Sequence, residues 1–467
     1  MVMGIDNSTS HVVINKKEVV AAALPLQDHW LPLSNLDLLL PPIDVGVFFC
    51  YRKPEKVAHL SFSSAVGILQ KSLAQALVSF YAFAGEVVTN SVGEPELLCN
   101  NRGVDFIEAS ADVELREVDL YNPDASVEGK LVPKKKNGVL SVQVTELRCG
   151  SIVVGCTFDH RIADAYSANM FLVAWAESAQ SKPITIHPSF RRSLLNPRRP
   201  GAYGADVDDM YVPVSSLPPP EPPKPGADST VSRIYYITAE DLCRLQAAAD
   251  GDGDGARRRT KLESLSAYLW QIVARASVRD GHKRCKMGIV VDGRTRLKGG
   301  DGDGSSMSNY FGNVLSIPYG EGDAAEIAGR PLSWAAELVR EFVAGAANRD
   351  HFLGLIDWVE ERRPSPAVAR IYCKGTEDGP AFVVSSGQRF PVREVDFGWG
   401  RPVVGSYHFP WGGDSGYVMP IPSAKGNGDW LLYAHMLKGQ LKVLETESGH
   451  FFRRLSPEHL DIDGGAS

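Results

Sequence analysis

Ser151-Ile152-Val153-Val154-Gly155-Cys156-Thr157-Phe158 reads as a strand and Ala165–Ala179 as a helix, with His160-Arg161-Ile162-Ala163-Asp164 at the join. The first run is short, apolar and rich in β-branched residues, the pattern of a strand covered on both faces. The second carries Met170, Phe171, Val173, Ala174 and Trp175 and reads as an apolar helix. The same alternation recurs outward from this point. Residues 68–80 place Leu69, Leu73, Leu77 and Phe80 at helical spacing, and 261–278 and 332–342 repeat the pattern. The expected class is therefore α/β.

The chain has 467 residues, enough for two or three domains with cores of their own. The clearest break falls at 196–232, where Pro197, Pro200, Pro213 and the proline run 217–225 read as an extended connector. This predicts a first domain over 1–195 and a second over 233–467. A formal charge of −7 speaks against a nucleic-acid partner, though not against an anionic small ligand in a local basic pocket. No apolar run is long enough to span a bilayer, and the first residues lack a signal-peptide pattern, so a cytoplasmic location and no membrane partner are expected. Seven dispersed cysteines without a C-x-x-C spacing point to reduced thiols rather than disulfides or zinc. The Gly-Asp stretches at 250–255 and 299–304 lack the twelfth-position Glu of a calcium loop, Lys261 and Gly312 standing there, and lack the G-K-[ST] of a phosphate loop. They read as solvated loops.

A bare His-x-x-x-Asp is expected about once by chance in a chain of this composition. A second copy exists, His459 to Asp463, in a polar tail with no helix behind it. Context separates them, since His160 follows a strand and precedes a helix whereas chain ends commonly fray. An imidazole has the ordinary pKa for taking a proton near neutrality. Asp164 lies four residues on. It either shares a helix face with His160 as a dyad or, if His160 stands before the helix, points elsewhere.

Downstream, Asp396-Phe397-Gly398-Trp399-Gly400 supplies the second signature. The pair resembles that of the BAHD acyltransferases, plant enzymes that move acyl groups from coenzyme A to alcohols or amines. The likeness extends to Leu33-Ser34-Asn35-Leu36-Asp37, to 73–85 with Ala82 where Pro is usual, to 261–270 and to Asn309-Tyr310-Phe311-Gly312-Asn313. It implies two chloramphenicol-acetyltransferase-like domains, mixed sheets flanked by helices, and an active-site channel between them. It also implies a monomer with no permanent cofactor or metal, with acyl-CoA as co-substrate and a small alcohol as acceptor.

Residue by residue, the resemblance implies His160 as general base and Asp164 as its orienter, held by Arg294 of Asp292-Gly293-Arg294. It implies Asp396 paired with an arginine, and Trp399 or its backbone near the reacting carbonyl. Lys261, Ser264, Asp292, Arg294, Ser385 and Ser386 are expected on the coenzyme side. Ser34, Asp44, Phe49, Phe311 and Arg389 are expected on the acceptor side. The stretches 159–170 and 30–42 most resemble coniferyl alcohol acyltransferases, which implies transfer of an acetyl or hydroxycinnamoyl group to a phenylpropanoid alcohol, with Ala165 where Gly is common in the family. Hydroxycinnamoyl-CoA:shikimate transferases are next, because Arg389 aligns with the arginine that grips shikimate's carboxylate. Gly387 stands where those enzymes carry Trp, and its small size is expected to leave room for a planar phenolic ring. Arg389 is alternatively an internal ion-pair partner. An amine acceptor, a non-catalytic ligand binder and a peptide-synthetase condensation domain are the remaining readings. The last would need a second His before His160, and residue 159 is Asp.

Overall fold

The computed structural model describes residues 11–54, 60–217, 228–251, 258–297, 307–373, 379–413 and 415–462. A six-stranded mixed sheet runs in the order Val12–Val20, Val104–Ala111, Leu140–Leu147, Ile152–Asp159, Asp44–Tyr51, Val404–His408. Only the Val104–Ala111 and Leu140–Leu147 pairing is parallel. Ile152–Asp159 is buried along its whole length, as its unbroken apolar run predicts. Gly155 within it is required by a close approach. The Leu131–Val132 backbone crosses that face so tightly that a methyl group at residue 155 would overlap the Leu131 carbonyl.

Helices Phe62–Ser79 and Ala165–Ala179 pack against each other beside this sheet. The Trp175 indole joins them, donating to Leu69 O at 3.1 Å and Ser72 Oγ at 3.0 Å. The first helix begins six residues earlier than its apolar spacing predicts, because Ser61 caps it by accepting from Ser64 N. The second spans the expected residues.

A seven-stranded mixed sheet runs Tyr319–Asp323, Arg284–Ile289, Ala381–Val384, Gly416–Pro422, Trp430–Leu437, Thr230–Ile237, Arg453–Arg454. Helices Ala239–Asp250, Lys261–Arg279, Leu332–Ala346 and Lys438–Ser448 share its core. Lys261–Arg279 opens with a capping box between Thr260 and Glu263. A third cluster gathers around helix Arg349–Arg362 and Tyr211. The mixed α/β architecture, with sheets flanked by helices, is the one expected.

Two features depart from the sequence reading. Val404–His408 lies in the second half of the chain but completes the first sheet, pairing antiparallel with Asp44–Tyr51. The connector is also not simply extended. It holds helix Ala205–Met210 and strand Tyr211–Pro213, which pairs with Ala367–Ala369 and ends at Pro213, where no further ladder donor is needed. The proline run from 218, most of both Gly-Asp stretches, Arg257, Asp463 and both chain ends lie outside the described residues. All seven cysteines are unpaired. No helix among the described residues is long and apolar enough to cross a membrane.

The returning strand makes Phe49 a seam residue. Phe49 is fully buried and stacks on Phe390 at 5.2 Å with their planes 3° apart, which corrects its expected place in an acceptor pocket. Phe49→Ala should destabilise the fold by about 3–5 kcal/mol, the range for a buried Phe truncation. The midpoint of urea unfolding measures this, and an unchanged midpoint would contradict the seam role.

Candidate active site

His160 occupies the turn between strand Ile152–Asp159 and helix Ala165–Ala179. Its amide donates to Ile43 O at 3.0 Å, and its carbonyl accepts from Asn313 Nδ2 at 2.9 Å. The same Asn313 amide reaches Arg161 O at 3.2 Å. Asn313 is itself held by Asp37 Oδ1, which accepts from its backbone N at 2.6 Å and its Nδ2 at 2.9 Å. The other Asp37 oxygen accepts from Ser34 N and Oγ at 2.9 and 2.7 Å. Ser34 is therefore buried support for the turn rather than an acceptor contact. Arg161 clamps the buried Asp159 through Nε at 3.0 Å and Nη2 at 2.6 Å, bracketing the histidine from its other side.

Asp164 is the N-cap of the helix, accepting from Ser167 N at 2.9 Å. Its Oδ2 takes Arg294 Nη1 at 2.7 Å and Val314 N at 3.2 Å, and its Oδ1 takes Arg294 Nη2 at 3.1 Å. Asp164 and Arg294 are 1% and 2% exposed. None of these hydrogen bonds goes to His160, so the two do not form a dyad. Arg294 goes on to Gly312 O at 2.8 Å and Ser167 Oγ at 3.1 Å, with its guanidinium 4.5 Å over the Tyr166 ring. Buried and fully occupied, Arg294 is not presented to a coenzyme.

The His160 ring faces a small cavity of about 20 Å³ walled by Phe158, Tyr407, Phe409, Tyr417 and Met419 among others. Phe409 meets the imidazole edge-on at 6.2 Å, and His160 Nδ1 is buried without a hydrogen-bond partner. Burial pushes Tyr417 up to about 12 and Tyr407 well above the usual phenol range, so both hydroxyls stay protonated at neutral pH. Among the residues walling this cavity, the imidazole is the group suited to accept a proton near neutrality.

The other signature lies elsewhere. Asp396 Oδ1 accepts from Gly398 N at 2.8 Å and Gly400 N at 3.0 Å, with both glycines at positive φ, +105° and +117°. The Asp396 carbonyl accepts from the Gln180 side chain at the C-terminal end of helix Ala165–Ala179. Phe397 packs edge-on against Trp175 at 4.8 Å, and Trp399 against Tyr51 at 6.1 Å. That helix has 15 residues, so its two ends lie about 22 Å apart. The loop thus closes the end of the helix opposite His160. The expected arginine partner of Asp396 is not found among the described residues, and Trp399 does not wall the His160 cavity.

The remaining expected residues divide. Phe311 is fully buried among Phe80, Phe83 and Phe190, a core position. Asp44 is exposed at the start of its strand and pairs with Lys135 at 3.1 Å. Asp292 braces Arg294, its Oδ1 accepting from Arg294 N at 2.9 Å. Ser264 is buried and donates to Thr260 O at 2.9 Å, while Lys261 stands half-buried at that helix start. Ser385 is buried beside Tyr417 and so lies one step behind the cavity, and Ser386 is exposed. The Arg389 side chain is 65% exposed, with Nη1 3.8 Å from Asp292 and its guanidinium 5.4 Å over Tyr166. Gly387 does not open space, because a Cβ there would run into Ile421, Pro420 O and Met419. The other His-x-x-x-Asp histidine, His459, stacks on Tyr236 at 4.5 Å and accepts from Ser456 N. Asp37, Asn313, Tyr407, Phe409 and Tyr417 carry the site without having been assigned a role from the sequence.

The sequence model of the Transferase family matches residues 10–451. The chain belongs to this family, the BAHD acyltransferases. It is similar to hydroxycinnamoyltransferase 2 of Oryza sativa subsp. japonica, 29% identical over 410 residues, covering 85% of this chain and 89% of the relative. Shikimate O-hydroxycinnamoyltransferase of Nicotiana tabacum is 27% identical, with 87% and 92% covered. The fold is that of F. graminearum TRI101 complexed with coenzyme A and deoxynivalenol. That chain superposes at TM-score 0.73 with 16% identity, over 91% of this chain and 99% of the other. The BAHD chain described here is accordingly a coenzyme-A-dependent acyltransferase, of the kind that moves groups other than aminoacyl groups.

Asp164→Asn in this BAHD chain leaves the buried Arg294 with only the partly exposed Asp292 carboxylate, 3.2 Å from Nη1, as counter-charge. Unfolding free energy should fall by about 3–5 kcal/mol, the usual cost of breaking a buried pair. Chemical denaturation followed by tryptophan fluorescence checks it, and a wild-type curve would refute the structural role.

Proposed function

We propose that this enzyme moves a hydroxycinnamoyl group from its coenzyme A thioester to the hydroxyl of a phenylpropanoid alcohol such as coniferyl alcohol, with His160 as general base. The observation that carries the reading is the His160 imidazole. Its backbone is pinned at both N and O, and its ring faces an aromatic cavity whose phenols stay protonated. An alcohol is a weak nucleophile, whereas a thioester is already activated. His160 takes the hydroxyl proton as the oxygen attacks the thioester carbon. The tetrahedral intermediate then collapses, the C–S bond breaks, and the imidazolium returns the proton to the departing thiolate. Donor and acceptor react directly in a ternary complex, with no acyl-enzyme and no metal in the chemistry. The hydroxycinnamoyl donor is supported by the names of the relatives. We place the enzyme in the cytoplasm, acting as a monomer.

A second reading, an acceptor bearing a carboxylate as shikimate does, has one observation in its favour. Arg389 is exposed, and its ion pair to Asp292 is long enough, at 3.8 Å, to be worth little. Its backbone carbonyl accepts from Asn169, whose side chain also holds the Tyr407 hydroxyl at the cavity. The Arg389 main chain therefore lies against helix Ala165–Ala179 beside the Tyr407 hydroxyl, with its guanidinium 5.4 Å over the Tyr166 ring of that helix. With Gly387 crowded, the room expected for a phenolic ring at that position no longer weighs against shikimate.

His160→Ala should lower kcat by at least ~10²-fold, about 2.7 kcal/mol of barrier, while the KM for acyl-CoA changes little. Steady-state kinetics with p-coumaroyl-CoA measures both, and near-wild-type turnover would overturn the assignment. Arg389→Ala separates the acceptors. A strong rise in KM for shikimate, with efficient wild-type turnover of it and none of coniferyl alcohol, selects the second reading. Wild-type turnover of coniferyl alcohol that Arg389→Ala leaves nearly unchanged selects the first.

A further inference from the structure

Three segments far apart in sequence bring unsatisfied polar groups to one place, none of them among the residues that wall the His160 cavity. Asp124 and Glu128 come from the short helix Pro123–Ser126 and the turn that follows it. His408 ends strand Val404–His408, the strand that the second half of the chain lends to the first sheet. His435 lies in Trp430–Leu437, the strand of the second sheet that packs against it. One ligand atom each from Asp124, Glu128 and His408 lie within 4.8 Å of one another. Glu128 Oε2 is 4.0 Å from His408 Nε2.

What distinguishes the cluster from an ordinary surface pair is the number of buried atoms left unpaired. His408 is 2% exposed, and both of its ring nitrogens lack a hydrogen-bond partner. Asp124 Oδ1 is likewise buried and unpartnered, although Oδ2 accepts from Ser232 N at 2.6 Å. His435 is buried, with Nδ1 3.0 Å from Ser232 Oγ and Nε2 buried and unpartnered. Buried polar atoms nearly always have partners. The orphaned Asp124 Oδ1 and a His408 ring nitrogen call for a partner, and one ion can take only one nitrogen of that ring.

We propose that Asp124, Glu128 and His408, with His435 Nε2 as a candidate fourth donor, form a structural site for a divalent transition-metal cation of the zinc type. Imidazole and carboxylate donors in a compact set suit zinc better than magnesium or calcium, which prefer oxygen alone. The Ser232 hydroxyl against His435 Nδ1 is the outer contact that holds a ligating imidazole in the tautomer with Nε2 free. The two carboxylates balance the charge of the ion. Bound there, the ion ties the Pro123–Glu128 segment to the borrowed strand and to the second sheet. It would also steady the cavity wall. Phe409 follows His408 directly, and its amide donates to the Tyr433 hydroxyl, which in turn meets Ser232 Oγ at 3.0 Å.

The test uses the full-length, tag-free chain stripped with a chelator and titrated with Zn2+ by calorimetry, with thermal unfolding in parallel. One equivalent should bind and raise the unfolding temperature. Co2+ in its place should show the visible bands of a low-coordinate nitrogen and oxygen site. Glu128→Gln, at a partly exposed position that should fold normally, and His408→Ala should each weaken binding at least about 10-fold and remove the thermal shift. No binding by the stripped protein would overturn the proposal. So would an equivalent of zinc that survives both substitutions, as adventitious capture at the exposed Cys243 would.

Discussion

A carboxylate and a guanidinium shut away from water cost several kcal/mol each in lost hydration, and only near-complete hydrogen bonding offsets that. The Asp164–Arg294 pair meets the condition. Asp164 accepts from Arg294, Ser167 and Val314, and Arg294 continues to Gly312, Tyr310 and Ser167. The two residues are 130 apart in sequence, so the pair locks the start of helix Ala165–Ala179 to the segment Tyr310–Val314. From that segment Asn313 reaches back to the carbonyls of His160 and Arg161, with Asp37 behind it. Gly312, at φ +145°, sits where the two arms meet, and a side chain there would press on Asp37 and Arg192. His160 is thereby placed by main-chain contacts at both ends, leaving its ring free to face the cavity.

Much of this was legible in the sequence because it is local. An unbroken apolar run predicts a strand buried on both faces, and helical spacing of leucines predicts the flanking helices. The Asp164–Arg294 pairing was implied by family likeness, and the cap geometry shows why it holds. Once His160 stands before the helix, the N-cap Asp164 turns its carboxylate toward the helix amides and away from the imidazole. The helix start at Phe62 was not legible, since the apolar spacing begins only at Leu69 and the start is set by Ser61 accepting from Ser64 N.

What sequence could not show is non-local. Strand Val404–His408 carries no mark of which sheet it joins, because a strand's partner is set by packing far along the chain. Phe49 and Phe311 read as acceptor walls, yet Phe49 is buried at the seam with the returning strand and Phe311 is buried among Phe80, Phe83 and Phe190. The Asp396 to Gly400 loop was the most specific string in the chain, and its specificity serves architecture. Two positive-φ glycines and an aspartate that accepts their amides make a cap for the far end of the helix that starts beside His160. Asn313 was the one missed residue with a usable signal, a polar side chain between Phe311 and Val314 with nothing in its own segment to bind.

The central claim is that this buried frame acts on catalysis by placing His160. A double-mutant cycle between Asn313→Ala and His160→Ala, read in kcat, tests it most directly. Asn313→Ala alone should slow turnover by about 10-fold or more, since it releases the turn carbonyls while His160 remains. In the His160→Ala background the same change should cost almost nothing further. An equal loss in both backgrounds would mean that Asn313 acts independently of the histidine, and would contradict the account.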